Sequence, residues 1–145
     1  MLPNRLQKYL KSAQTGDDKY ARGVVGFVTG SVEYPGAAIL GVTAAIRTGI
    51  GMVRYLGPAS VCDLVLESRP EVVCGEGRLN AWVLGSGVPA SEASRFDAAF
   101  QSEIPKILDA GALETCNFET LKGTAILTPH AGEAAALITR LDAPI

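Results

Sequence analysis

Residues 24–56 run Val24-Val25-Gly26-Phe27-Val28-Thr29-Gly30-Ser31, then Val32-Glu33-Tyr34-Pro35, then an Ala, Ile, Leu and Val run from Gly36 to Thr48. Gly49-Ile50-Gly51 and Met52-Val53-Arg54-Tyr55-Leu56 close the stretch. Val24 to Thr29 is a short, valine-rich apolar run of the kind that forms a buried strand. Pro35 stands where helix starts tolerate proline, because that N–H would be unpaired in any case. The run to Thr48 is then a helix closed by Gly49 and Gly51, and Met52 to Leu56 is the next strand. Strand, helix, strand is a βαβ unit. Gly49-x-Gly51 follows a helix rather than a strand, so it is not a dinucleotide fingerprint of the Rossmann kind.

The alternation continues outward. Val61 to Glu67 is a helix, and Glu71-Val72-Val73 a brief strand or edge piece. Ala81 to Leu84 is a strand ending in Gly85-Ser86-Gly87. Ser91 to Phe100 has helical spacing, with Ser91 as its N-cap and Phe96, Ala99 and Phe100 on one face. Lys106 to Leu108 is a strand ending at Asp109. Asn117 to Leu121 is a short helix that Asn117 could cap. Ala125 to Leu127 is a strand ending in Thr128-Pro129-His130, and Gly132 to Leu141 is the last helix. Upstream, Leu2, Leu6 and Leu10 are spaced for a helix over Leu2 to Ser12, with Arg5, Lys8 and Lys11 on its solvated face. Strands alternating with helices predict an α/β fold: a mostly parallel sheet with helices on both faces. No internal repeat, linker or second domain is visible, so residues 1–145 read as one domain.

Composition sets the bounds. The chain has 145 residues, 48% of them hydrophobic and 19% charged, enough apolar material for a core and too much for disorder. A formal net charge of −2 without a basic stripe argues against a nucleic-acid partner. Cys62, Cys74 and Cys116 are odd in number and form no Cys-x-x-Cys pair, so neither a metal site nor a disulfide framework is expected. Free buried thiols fit a reducing cytoplasm. Met1-Leu2-Pro3-Asn4-Arg5 lacks an apolar signal core, and the longest apolar stretch, Gly36 to Ile46, is too short to span a bilayer.

In parallel sheets ligands bind beyond the carboxyl ends of the strands. Four strand ends here carry candidate residues: Gly30-Ser31 with Tyr34-Pro35-Gly36-Ala37, Gly85-Ser86-Gly87, Asp109-Ala110-Gly111, and Thr128-Pro129-His130 with Gly132-Glu133. Parallel strands would place all four on one rim. Glycines there either form turns or let backbone N–H groups approach a phosphate or ring. Asp109 suits a helix cap and a ligand contact equally. His130, the single histidine, gains a functional reading from its place on that rim. Glu133 favours the start of the last helix through the helix dipole. No Ser–His–Asp spacing or metal cluster stands out. Pattern and spacing alone reach an α/β domain with a small-molecule rim.

Four motifs go further. Gly30-Ser31-Val32-Glu33-Tyr34-Pro35-Gly36-Ala37-Ala38 followed by Ala44-Ala45-Ile46-Arg47-Thr48-Gly49-Ile50-Gly51 resembles the N-terminal signature of the NAD(P)H-hydrate dehydratase family, part of the ribokinase-like superfamily. Leu84-Gly85-Ser86-Gly87, Ile107-Leu108-Asp109-Ala110-Gly111-Ala112-Leu113 and Leu127-Thr128-Pro129-His130-Ala131-Gly132-Glu133 follow in the family's order, from about Lys19 to the end. The resemblance implies a three-layer ribokinase-like fold and a cytoplasmic hydro-lyase that repairs hydrated NADH and NADPH. ADP in bacteria, or ATP in eukaryotes, would phosphorylate the ring hydroxyl with Mg2+ present. Phosphate, a better leaving group than hydroxide, then departs.

By the same resemblance, Ala37, Gly87 and His130 contact the hydrated dinucleotide, Tyr34 and Asp109 line the same cleft, and Lys19 and Arg22 either meet a phosphate or face solvent. The chain departs from the family in Gly85-Ser86-Gly87, where Gly-Pro-Gly is usual. The family's later Lys-Gly segment and Gly-Thr-Gly-Asp loop, with its catalytic aspartate, have no counterpart up to Ile145, and Lys122-Gly123 precedes the Thr-Pro-His motif instead of following it. The expectation is therefore a C-terminally short fold without a catalytic residue of its own, binding a small-molecule dinucleotide and turning it over little by itself. Its cut sheet edge would drive homo-oligomerisation. The alternatives are an inactive dinucleotide-binding remnant and a related vitamin or carbohydrate kinase. Against the kinase stands Tyr34-Pro35-Gly36-Ala37.

Overall fold

A computed structural model describes residues 16 and 18–141 of the chain. The helix read over Leu2 to Ser12 lies outside them. Six strands, β1 (Val24–Val28), β2 (Met52–Tyr55), β3 (Val73–Cys74), β4 (Ala81–Leu84), β5 (Lys106–Leu108) and β6 (Ala125–Leu127), form one sheet in the order β3-β2-β1-β4-β5-β6. Every pairing is parallel. Between them lie α1 (Pro35–Arg47), α2 (Ala59–Ser68), a 3₁₀ segment (Ala90–Phe96) running into α3 (Asp97–Phe100), α4 (Ala110–Thr115) and α5 (Ala131–Arg140).

β1 is central and buried along its whole length, which is why it reads as an unbroken apolar run. On one face Val25, Phe27, Val53 and Tyr55 pack with Ala38 and Val42 of α1 and Val61 and Val65 of α2. On the other, Val28, Trp82, Leu84 and Leu108 pack with Phe96, Ala99, Ala112, Leu113 and Leu137. This is the expected three-layer α/β arrangement. From β1 the chain builds outward through β2 to β3, then returns to lay β4, β5 and β6 on β1's other side. The carboxyl ends of β1 and β4 therefore flank a topological switch point, where such sheets open a crevice.

Four readings need correction. The single helix over Ser91–Phe100 is instead a 3₁₀ segment broken at Glu92 (φ −106°, ψ 19°) and followed by one α turn. Extended Pro89, not Ser91, precedes it, and no side chain caps it. The edge strand is Val73–Cys74, two residues only. Asn117–Leu121 is a turn in which the Asn117 side chain accepts from the Glu119 N–H at 3.0 Å. The helix in this region is α4, earlier in the chain, because Gly111, Ala112 and Leu113 have a core to face.

The fourth concerns sulfur: Cys62 and Cys74 are disulfide-bonded, with Cα atoms 6.3 Å apart, inside the bridging range. The fold brings α2 against the edge strand, and nothing in a spacing of 12 residues announces it. Cys116 alone is the buried free thiol expected.

Candidate functional site

The end of β1 sets the geometry. Gly30 takes φ +68°, a left-handed value open to glycine at little cost. Its N–H donates to the Ser86 carbonyl at 2.7 Å, tying the β1 loop to the β4 loop across the switch point. Gly87 sits against this tie. A Cβ placed on it would lie 2.6 Å from the Ala37 Cβ, 3.2 Å from the Tyr34 carbonyl oxygen and 3.3 Å from the Gly30 Cα. Ala37 stands in the first turn of α1, whose entry is fixed by Pro35 and by the Tyr34 N–H donating to Ser31 Oγ at 3.1 Å. Gly30, Ala37 and Gly87 thus meet in a corner of bare backbone at a helix N-terminus, a geometry suited to an anionic or planar ligand group.

Asp109 extends the corner along the rim. It occupies the N-cap position of α4, yet its carboxylate caps nothing. Ser86 Oγ donates to Asp109 Oδ2 at 2.6 Å, and Thr128 Oγ1 lies 3.0 Å from Asp109 Oδ1. Between a cap and a ligand contact, the structure removes the cap: the carboxylate is aimed by two hydroxyls from the neighbouring strand ends. The following residue, Ala110, has φ +43°, unusual for a residue with a side chain and a sign of local strain at this rim.

Two residues past Thr128, His130 starts α5. Its Nδ1 accepts from the N–H groups of Gly132 (3.1 Å) and Glu133 (3.4 Å), while Glu133 accepts from the His130 N–H at 2.9 Å. This is a capping box with histidine in the hydroxyl's place. An accepting Nδ1 leaves the proton of the neutral ring on Nε2. That atom is 3.5 Å from Glu133 Oε1 on a side chain 73% exposed, free to donate outward. His130 also borders a cavity of about 610 Å³ between α4 and α5, with Ala110, Gly111, Leu113, Leu137 and Arg140 among its walls.

Of the candidates from sequence, Ala37, Gly87 and the Tyr34 backbone are in direct contact, Asp109 joins them through Ser86, and His130 follows on the same rim. The Tyr34 ring is exposed, and Glu33 beside it raises the hydroxyl above the ordinary tyrosine value. Lys19 and Arg22 belong elsewhere. Arg22 donates to the Gly49 carbonyl, before the start of β2, so this basic pair lies at the amino ends of the strands. The five residues of β1 separate them from the rim by roughly 17 Å. Sequence reasoning placed Ser86 and Thr128 in the rim loops without a role for either, and missed Arg95. The signal for Ser86 was its stand-in for the family's proline; Arg95 offered none. Its Nη1 donates to the Gly30 carbonyl at 2.9 Å and to Glu92 at 2.7 Å.

Comparison with known proteins finds relatives of the chain. A family model described as NAD(P)H-hydrate dehydratase matches residues 25–143. The bifunctional NAD(P)H-hydrate repair enzyme Nnr of Corynebacterium glutamicum is 37% identical over 139 residues, covering 86% of this chain and 24% of that protein. The ADP-dependent (S)-NAD(P)H-hydrate dehydratase of Bacillus subtilis is 32% identical over 120 residues, covering 73% of this chain and 44% of that protein. The crystal structure of ADP/ATP-dependent NAD(P)H-hydrate dehydratase from B. subtilis, co-crystallised with ATP/Mg2+, superposes with a TM-score of 0.81 at 28% identity. That match covers 92% of this chain and 53% of the other. A ribokinase-like superfamily protein of Enterococcus faecalis shares the fold at a TM-score of 0.76 and 18% identity, covering 90% of this chain and 53% of its own, so the expected fold is present. The chain spans between a quarter and about half the length of these relatives.

Proposed function

The chain belongs to the NAD(P)H-hydrate dehydratase family, and from that premise we propose that its rim binds hydrated NADH or NADPH for an ADP-dependent (S)-NAD(P)H-hydrate dehydratase reaction. The observation that carries this reading is the bare backbone corner of Gly30, Ala37 and Gly87 at the switch point, joined through Ser86 to an aimed Asp109. The corner gives a dinucleotide close main-chain contact. Asp109 offers fixed acceptor lone pairs to ligand hydroxyls, and His130 Nε2–H is the outward donor. The Tyr34 backbone forms one wall.

The chemistry asks little covalent work of these groups. In this reading a phosphoryl group would pass from ADP to the ring hydroxyl, leaving AMP and releasing the hydroxyl proton; the ring nitrogen's lone pair then drives phosphate out, and loss of a ring proton restores the reduced nicotinamide. The protein's share is orientation and electrostatics. Magnesium would travel on the nucleotide phosphates, as it commonly does. Among the described residues no cluster of three metal-ligating side chains occurs, so no protein ligand set is assigned to it and no step is routed through it. Among them, too, no helix is long and apolar enough to cross a membrane. The reading puts the protein in the cytoplasm with the nicotinamide pool, on the family alone now that the Cys62–Cys74 bridge removes the free-thiol argument for a reducing compartment, and as a homo-oligomer through its sheet edge.

The test is calorimetric titration with enzymatically hydrated NADPH, against NADPH itself, for the wild type and Ala37→Leu. Preferential binding of the hydrate, lost on filling the corner, is the expected result. Equal affinity for hydrate and NADPH, or an unaffected Ala37→Leu, overturns the reading. Adding ADP and Mg2+ and following the restored ring's absorbance then separates recognition from turnover.

A further inference from the structure

Two successive carbonyls follow β1, and each is taken by a side chain from a different element. The Tyr55 hydroxyl of β2 donates to the Thr29 carbonyl at 3.0 Å. Arg95 Nη1 reaches across from the 3₁₀ segment to the Gly30 carbonyl at 2.9 Å. Gly30 is thus held from both sides, its N–H by Ser86 and its carbonyl by Arg95. The Arg95 side chain is only 18% exposed and pairs with Glu92 three residues back. Among the described residues its Nη2 is buried without a hydrogen-bond partner, as is Thr29 Oγ1. Burying a guanidinium costs free energy, and a buried donor left unpaired adds to that cost. An apolar residue would fill the same volume without either cost. Arg95 instead stands between the peptide that forms the ligand corner, the Tyr55 hydroxyl that takes the preceding carbonyl, and Glu92, so its polar contacts converge on the end of the β1 loop.

We propose that Arg95 is a positioning residue for dinucleotide binding. By fixing the Gly30 carbonyl it keeps the Gly30 turn in register with Ala37 and Gly87, and Glu92 holds the guanidinium in the geometry this needs. Arg95 reaches the ligand only through Gly30, because Nη1 is already engaged and Nη2 is enclosed. The inference rests on the dinucleotide-binding reading above.

The discriminating experiment measures the affinity of the whole chain for enzymatically hydrated NADPH alongside its thermal midpoint, for wild type, Arg95→Met, Arg95→Lys, Glu92→Gln and Arg69→Met. Arg69 is the comparison arginine: half-buried, bonded through Nε to Thr43 Oγ1 at 2.9 Å, and away from the rim. Loss of one charge-assisted hydrogen bond predicts a fall of about tenfold or more in affinity for Arg95→Met. Arg95→Lys, which can still donate to Gly30, recovers most of it, and Glu92→Gln loses a few-fold. Arg69→Met lowers the thermal midpoint and leaves affinity unchanged. Wild-type affinity in Arg95→Met overturns the proposal, as does an affinity loss in Arg69→Met that matches its loss of stability. If Arg95→Met does not fold, the lysine and Glu92→Gln variants decide in the same way: equal affinity in all three folded proteins refutes positioning. Absence of hydrate binding by the wild type refutes the binding reading and this inference together, an outcome distinct from wild-type binding with no effect at Arg95.

Discussion

At Gly87 a methyl group has no room: its Cβ would stand 2.6 Å from that of Ala37, on a backbone at φ +69°. Gly87→Ala should cost about 1–3 kcal/mol, part steric and part conformational. Adding Ala37→Gly should return the steric part only. Urea denaturation of the single and double variants reads this directly, and a double variant no better than the single would mean the clash is absorbed elsewhere. Tyr55 carries a second prediction. Burial raises its hydroxyl above the ordinary tyrosine value, against the opposing pull of the Arg95 charge. An acid whose folded pKa is raised stabilises the fold below the unfolded value, near pH 10, and that contribution is lost as pH rises through the folded value. Cys116, raised by burial, acts in the same sense. Lys106, buried and held by the Ser102 and Lys122 carbonyls, is lowered by burial and acts in the opposite sense just below the ordinary lysine value. Tyr55→Phe should therefore be less stable at pH 7, having lost the bond to Thr29, and should show a shallower decline between pH 9 and pH 11. Parallel declines in variant and wild type would dismiss Tyr55 as a contributor.

Elements differed in how far the sequence disclosed them, and the reason is how each is held. β1, α1 and β2 were legible because the central strand is buried on both faces and Pro35 marks the first turn of the helix. β4, β5 and β6 were legible because the rim motifs punctuate them. The stretches 91–100 and 110–121 were misread because their shapes depend on few contacts: Phe96 and Ala99 entering the core, Arg95 drawn to Gly30, and small residues packing where Ala110-Gly111-Ala112 looks like a turn. At the site, the resemblance supplied Ala37 and Gly87, while His130 and Asp109 were marked by their strand ends as well as by the resemblance. The hydroxyls that aim Asp109 and the arginine that pins Gly30 come from partner elements, a relation no linear pattern contains. The Cys62–Cys74 bridge is the same kind of fact, since it exists only once α2 lies on β3. Closing a loop of 12 residues should stabilise the fold by about 2–3 kcal/mol. Reductant, or Cys62→Ser, should lower the thermal midpoint accordingly. Thiol titration of the unfolded, unreduced chain should find Cys116 alone. Three reactive thiols would show that the bridge does not form.

Over the whole molecule, the two edges of the sheet are unequal. β3 is only two residues long and stapled to α2, which protects that edge from pairing. At the other edge, among the described residues, β6 is paired on the β5 side alone. Its Ile126 is 62% exposed and sits in register with Ile107, 37% exposed, on a face that no described helix covers as α1 and α2 cover the β1 side. An apolar pair beside a free row of backbone donors and acceptors is a template for strand addition. With that edge uncovered, these 145 residues by themselves should self-associate through β6, and Ile126→Lys should shift sedimentation toward the monomer. Ligand binding gives the control. The corner at β1 and β4 lies at least two strand spacings from β6, on the order of 10 Å, so a charge at Ile126 should leave affinity for hydrated NADPH unchanged. His130 lies closer, three residues beyond the end of β6, and reports on whether the edge reaches the site. If Ile126→Lys abolishes association and affinity together, a second copy completes the rim near His130, and the dinucleotide site belongs to the assembly. If association is lost and affinity retained, the corner of Gly30, Ala37 and Gly87 suffices within one chain, which is what its internal ties from Ser86 and Arg95 predict.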